Sequence, residues 1–327
     1  MLQYLIIQLD DTSTSYCHYS NDKKESRLIS LENLKKGILF AMKENLMIQF
    51  VYPDFELPQD YKDAINTIDH SDIVSFDCKD DILKNNADII ILNDWKELEA
   101  NKIEEDGIYV IRTSKSELFD KYLSLTYILS KAKRLNVVIT DTECFTEEDF
   151  EKYKGVLSAL SKETEKLYVK GMTPQLNLLT DRMMLDKMNN CNAGDENITL
   201  APDGKFYVCP AFYLADENED YGLGKSKFSI GDLENGLDVK NPQLYKLSHA
   251  PICRNCDAYQ CKRCVWLNRR TTYDINTPSH EQCVVSHLER NESRELLTNI
   301  RKNGIFLPGK KIKEISYLDP FDVRKEW

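Results

Sequence analysis

The chain has 327 residues, 42% hydrophobic and 10% aromatic, which is enough apolar mass to bury a sizeable core and too much for a disordered chain. Its 54 acidic residues outnumber 43 lysines and arginines, and the net charge of -11 excludes the basic footprint that general nucleic-acid binding requires. No run approaches the roughly 20 apolar residues that span a bilayer, so neither nucleic acid nor a membrane is an expected partner.

The apolar start, Met1 to Leu9, runs straight into Asp10 and Asp11 without a basic flank or a small-residue cleavage site, which is not the pattern of a signal peptide. The expected location is cytoplasmic. In that reducing compartment clustered cysteines are metal ligands more readily than disulfides.

Tyr4 to Leu9 is a continuous apolar run, as expected of a strand buried on both faces. Ser30 to Asn45 then has helical spacing at Leu31, Leu34, Ile38, Leu39 and Met42. The β-then-α unit recurs, with strands expected at Met47 to Val51, Asp72 to Phe76, Asp88 to Leu92, Gly107 to Ile111, Asn136 to Thr140 and Lys166 to Val169. Helices are expected at Ser114 to Arg134 and Thr146 to Ser161. Their starts, Ser114-x-x-Glu117 and Thr146-x-x-Asp149, place a capping hydroxyl three residues before an acid, the second a weaker variant of the capping box. About six alternating strands and helices imply a parallel sheet, either open and doubly wound or closed into a partial (β/α) barrel. Met172 to Met188 reads as a connecting helix and Val284 to Arg301 as a further one, while Ala215 to Tyr221 is a polar loop. Acids at the strand ends, Asp10, Asp11, Asp77, Asp94, Asp141 and Glu143, read as helix caps and solvated loop residues, and Cys78 and Cys144 as free thiols.

Seven of the ten cysteines fall between Cys191 and Cys283. The order is Cys191, Cys209, then Cys253-x2-Cys256-x4-Cys261-x2-Cys264, then Cys283. Two β-forming runs around Asp203-Gly204 form a hairpin that carries Cys209 back toward Cys191. The two CxxC knuckles have a spacing that zinc accepts, and thiolates equally hold iron-sulfur clusters.

These residues resemble the SPASM domain that follows the barrel in many radical SAM peptide-modifying enzymes. The likeness lies in the Cys191-x-Ala-Gly194 start, the Pro-Asp-Gly204 turn, Cys209-Pro210, Ile230-Gly-Asp-Leu233 and the four-cysteine run. The whole chain, with Gln8-Leu-Asp-Asp-Thr-Ser13 and Cys261-Lys-Arg-Cys-Val265, resembles the CXXX repeat peptide maturases. The resemblance implies an α/β fold: a six-unit partial (β/α) radical-SAM-like barrel over 1-188, a small cysteine-rich α+β SPASM-like metal-binding domain over 189-290, and an extension over 291-327.

By the same resemblance, the loop after the first strand should hold three thiolates spaced Cys-x3-Cys-x2-Cys. Here it has Ser13, Cys17 and Ser20, with Tyr19 where an aromatic is usual. A hydroxyl is a poor iron ligand, so no radical SAM cluster is expected. The Gly-Gly-Glu run of the family's second loop is absent from Val51 to Pro58. Motif order implies that Cys253, Cys256, Cys261 and Cys283 hold one four-iron cluster. Cys191, Cys209 and Cys264 are left for a second, with an open iron. The family has five and three residues where this chain has four and two after Cys256 and Cys261, so zinc stays an alternative metal. The implied role is accessory: a degenerate protein pairing as a heterodimer with an active radical SAM enzyme, and binding a cysteine-rich precursor peptide or relaying electrons. The alternatives are a self-sufficient peptide-modifying metalloenzyme and a zinc-stabilised scaffold.

Overall fold

A computed structural model describes residues 2-96, 103-216 and 228-315. The chain divides into two compact units, each assembled from two stretches: 1-91 with 192-249, and 92-191 with 250-327.

The first unit is built on strand β1 (Tyr4–Gln8). Parallel neighbours follow on one side: β2 (Met47–Val51), β3 (His70–Ser75) and β4 (Ile89–Leu92), with Tyr4 opposite Met47, Ile48 opposite His70 and Ile73 opposite Ile89. Leu5, Ile6 and Ile7 are buried in a row, as a strand covered on both faces requires.

The helix Leu31–Glu44 returns the chain between β1 and β2. Ser30 accepts the Asn33 N–H at 3.1 Å, and Asn45 ends the helix in the left-handed conformation that Asn tolerates. Its buried face is Leu34, Gly37, Ile38 and Ala41. Leu39 and Met42, expected to be buried, lie exposed. The core-facing stripe is narrower than the apolar pattern because Gly37 lets the helix lie directly on the Leu200 side chain.

The second unit holds β5 (Ile108–Thr113), β6 (Arg134–Ile139) and the short β7 (Gln175–Leu176), all parallel, with Ile108 opposite Arg134. Two long helices, Glu147–Val169 and His280–Asn303, pack on one another. The first opens with a complete capping box: Thr146 Oγ1 accepts from the Asp149 N–H at 3.3 Å, and Asp149 Oδ2 accepts from the Thr146 N–H at 2.9 Å. The variant read as weaker thus closes fully, helped by Lys115 Nζ at 2.6 Å from the same Asp149 oxygen.

Three expectations are corrected in this unit. Lys166 to Val169 is the last turn of the long helix, not a strand, and Val169 is exposed where a buried strand residue would not be. Ser114 to Arg134 is two short helices, Lys115–Lys121 and Ser124–Leu129, with Arg134 already in β6. Met172 to Met188 is mostly turns and irregular chain around the short strand Gln175–Leu176. Gly171, at φ +83°, ends the preceding helix, Pro174 bars another, and only Asp181–Met184 is helical.

Returning to the first unit, β8 (Asn197–Leu200) pairs parallel to the free side of β1, and β9 (Lys205–Tyr207) folds back antiparallel to it. The turn is the expected Asp203-Gly204, with Gly204 at φ +80° and the Asp203 carboxylate accepting the Lys205 N–H at 3.0 Å. β10 (Ser229–Asp232) and β11 (Gly236–Leu237) continue the antiparallel edge. Of the polar loop expected at Ala215 to Tyr221, Ala215 and Asp216 end the helix Pro210–Asp216, and the rest lies outside the described residues. Among the described residues, no helix is long and apolar enough to cross a membrane.

Candidate metal centre

Most polar groups of the loop after β1 are already bonded to neighbouring segments, although the buried Ser15 hydroxyl has no hydrogen-bond partner among the described residues. Ser13 is buried, its hydroxyl donating to the Val51 carbonyl at 2.8 Å and accepting the Asp10 N–H at 3.0 Å. Asp10 accepts from the Thr12 N–H and hydroxyl and from Ser26. Asp11 faces Arg27 at 3.2 Å and Lys23 at 3.6 Å and receives the Tyr213 hydroxyl. Burial pushes that phenol far above its usual range, and the bond to Asp11 reinforces the shift. Cys17 is half-buried and Ser20 is exposed. The three positions of the expected cluster spacing therefore sit in different surroundings, and the first is committed to the backbone.

The second unit gathers thiols. Its segment after residue 250 folds into two knuckles, and Cys253, Cys256, Cys261 and Cys283 line one cavity of about 190 Å³, together with Arg263, Ser286 and His287. Three of these thiols come from the knuckles. The fourth stands in the first turn of the helix His280–Asn303, where Ser279 caps the N-terminus by accepting the Gln282 N–H. No disulfide links any of the ten cysteines.

Each knuckle aims backbone N–H groups at sulfur. Ala258 donates to Cys256, Arg263 to Cys261 and Leu267 to Cys264, each at 3.4 Å. Such donors favour the thiolate. Burial works the other way: it pushes the thiols of Cys253, Cys256 and Cys264 up to about 12 and raises Cys261 as well, with neighbouring sulfurs adding to the rise at Cys253, Cys256 and Cys264. A bound cation is what makes such clustered thiols ionise.

The donor set fits a thiophilic group, since four soft ligands line one cavity. Among the described residues, no three His, Cys, Asp or Glu side chains already stand close enough to hold a single ion. Of the remaining three expected ligands, Cys191 and Cys264 belong to this unit and Cys209 to the other. The Cys191 N–H donates to the Lys262 carbonyl at 2.5 Å, tying it to the second knuckle, and its sulfur adds to the rise of the Cys264 thiol.

Residues around the thiols carry more than the motif shows. Asp257, directly after Cys256, is buried and meets Arg290 at 2.9 Å, Arg294 at 2.8 Å and Arg182 at 3.7 Å. Burial opposes its charge, but the three guanidiniums hold the carboxyl below its ordinary range. Glu314 closes the ring at 2.7 Å from Arg294 and 3.1 Å from Arg182, giving the carboxyl-terminal stretch a structural role that its sequence does not reveal.

His287 Nε2 lies 3.6 Å from the Cys256 sulfur. The Cys283-x3-His287 spacing places both on one helix face, a signal visible in the sequence. Glu289 is buried, accepting from the Tyr153 hydroxyl at 2.8 Å and the Gln260 amide at 3.2 Å, and burial raises its carboxyl to about 7.

No protein-family model matches the chain, and no curated protein matches it. Its fold resembles that of anSMEcpe, an anaerobic sulfatase-maturating radical SAM enzyme solved with bound AdoMet. The hexahistidine-tagged structure aligns with a TM-score of 0.59 at 12% identity, covering 92% of this chain and 100% of the other. The native one aligns at 0.58 and 13%, covering 92% and 99%, and a complex with the Cp18Cys peptide at 0.57 and 12%, covering 92% and 100%. The chain has a radical SAM-like α/β fold.

Proposed function

We propose that this chain is a degenerate radical SAM-like protein that keeps an iron-sulfur cluster in a SPASM-like segment and serves as the accessory partner of an active radical SAM enzyme. Cys253, Cys256, Cys261 and Cys283 hold the cluster, which supplies one-electron chemistry or a grip on substrate cysteines when bound. The observation that carries this reading is the gathering of four thiols around one cavity, while the loop after β1 has serines at both outer positions and buries one of them against the Val51 carbonyl. The motif order of the resembled family supports a cluster, and the two CxxC knuckles keep zinc as the alternative metal. The resemblance to cysteine-repeat peptide maturases points to a cysteine-rich precursor peptide as the ligand presented.

The first test is anaerobic purification followed by iron, sulfide and zinc analysis per chain, then co-purification with a radical SAM enzyme and its precursor. About four or eight irons with matching sulfide are expected, and capture of both partners. Roughly twelve irons would restore a radical cluster and sink the degenerate reading. Zinc without sulfide would leave a scaffold, and failure to capture either partner would remove the accessory role.

A further inference from the structure

Arg263 is the one cation among the side chains lining the thiol cavity that is fixed by its chemistry, since a guanidinium stays protonated at any pH the fold survives. Only 1% of it is exposed. Two amide oxygens anchor the head group: Nε donates to Asn190 Oδ1 at 2.6 Å and Nη1 to Asn276 Oδ1 at 2.7 Å. These partners come from the position just before Cys191 and from the loop before the helix carrying Cys283, so the guanidinium is clamped by two separate stretches of chain. Its own backbone sits at φ +42°, a left-handed conformation costly for a long side chain, and its N–H donates to the Cys261 sulfur at 3.4 Å. The adjacent Lys262, with equal charge, is exposed. This buried, permanent positive charge acts on the Cys253 and Cys261 thiols that line the cavity.

We propose that Arg263 sets the reduction potential of the cluster held by Cys253, Cys256, Cys261 and Cys283, an inference that rests on the cluster reading above. One-electron reduction adds a negative charge to an assembly already carrying four thiolates. A buried cation in the cavity wall stabilises the reduced form more than the oxidised one, and low dielectric lets that field act undiminished. Arg263 is thus a positioning residue for charge, and it tunes the cluster toward accepting an electron from a low-potential donor of the flavin or ferredoxin class.

The test reconstitutes the full chain anaerobically with ferrous iron and sulfide, verifies iron and sulfide content, and titrates with dithionite while absorbance and electron paramagnetic resonance are followed. Arg263→Gln is expected to lower the midpoint potential, and Arg263→Lys to recover part of the loss. Asn276→Asp keeps the guanidinium but sets a carboxylate on Nη1, and is expected to lower the potential too. Loaded variants whose midpoint matches the parent overturn the proposal. If Arg263→Gln loses its iron or its fold, Asn276→Asp decides by itself, and a loaded, unshifted Asn276→Asp overturns the proposal. Zinc without sulfide in the parent chain would instead bring down the cluster reading, and this inference with it.

Discussion

The loop after β1 and the knuckles of the second unit carry motif-like spacings of similar length, yet Ser13, Asp10 and Asp11 of the first are already bonded while sulfurs of the second border a cavity. In the loop, Ser13 is bonded to a strand carbonyl, Asp10 to three neighbouring donors, and Asp11 to an arginine, a lysine and a tyrosine. In the knuckles the sulfurs receive backbone N–H groups and still border a common space. Spacing says which side chains can meet. Whether their bonding capacity is already used decides whether a ligand has anything to bind.

The sharpest way to break this contrast is to remove thiols from each side. Cys253→Ser with Cys256→Ser is expected to remove about four irons per chain, the content of the four-thiol cavity, whereas Cys17→Ser leaves the content unchanged, both read by iron and zinc analysis. Equal losses in the two would mean that the loop after β1 also holds metal.

Next in size is the charge cluster that anchors the first knuckle. Asp257→Ala leaves Arg182 and Arg290, both almost fully buried, without the carboxylate between them, and a buried pair broken on one side costs about 3–5 kcal/mol. Asp11→Ala should cost less, about 1–2 kcal/mol, because Arg27 is 48% exposed and water replaces its partner, while the buried Tyr213 hydroxyl loses its acceptor. Urea unfolding compares the two. A larger loss for Asp11→Ala would reverse the ranking of the two regions.

Much of this was legible from residue order. β1, β2 and the helix from Ser30 to Asn45 were marked by a continuous apolar run, helical spacing and caps, and the Asp203-Gly204 hairpin by its turn residues. The end of the long helix reads as a strand because Tyr168 and Val169 are β-forming by propensity, while packing of the Phe150, Tyr153, Leu157 and Leu160 face carries the helix past them. The thiols that share the cavity were legible as a set of spaced cysteines. The surroundings of Asp257, Arg263 and Glu289 were not, since what distinguishes them from surface charges is burial against partners 13 to 136 residues away.

Acidity probes the same buried surroundings at a smaller scale. Glu289, raised to about 7, binds its proton more tightly folded than unfolded. Its contribution is therefore complete below the unfolded value of about 4.3 and is lost as pH rises through about 7, a change of about 3–4 kcal/mol. Glu289→Gln keeps an acceptor for the Tyr153 hydroxyl and removes the titration, so unfolding free energies at about pH 5 and pH 8 should converge in the variant. An undiminished decline there would place the pH dependence elsewhere.

The smallest effect on metal is expected from rebuilding the thiol spacing in the loop after β1. Ser13→Cys with Ser20→Cys gives Cys-x3-Cys-x2-Cys by sequence, yet Ser13 lies in a tight site between the Val51 carbonyl and the Asp10 N–H, and Ser20 lies in solvent. Sulfur is larger than oxygen and a weaker hydrogen-bond donor, so the first change should cost about 1–2 kcal/mol without freeing a ligand. Iron per chain should stay at the parent level. A gain of about four irons would show that this loop rearranges readily around a cluster. The difference between the two regions would then lie in two side chains alone, and the buried hydroxyl of Ser13 would be a consequence of the lost thiolates that costs little to undo.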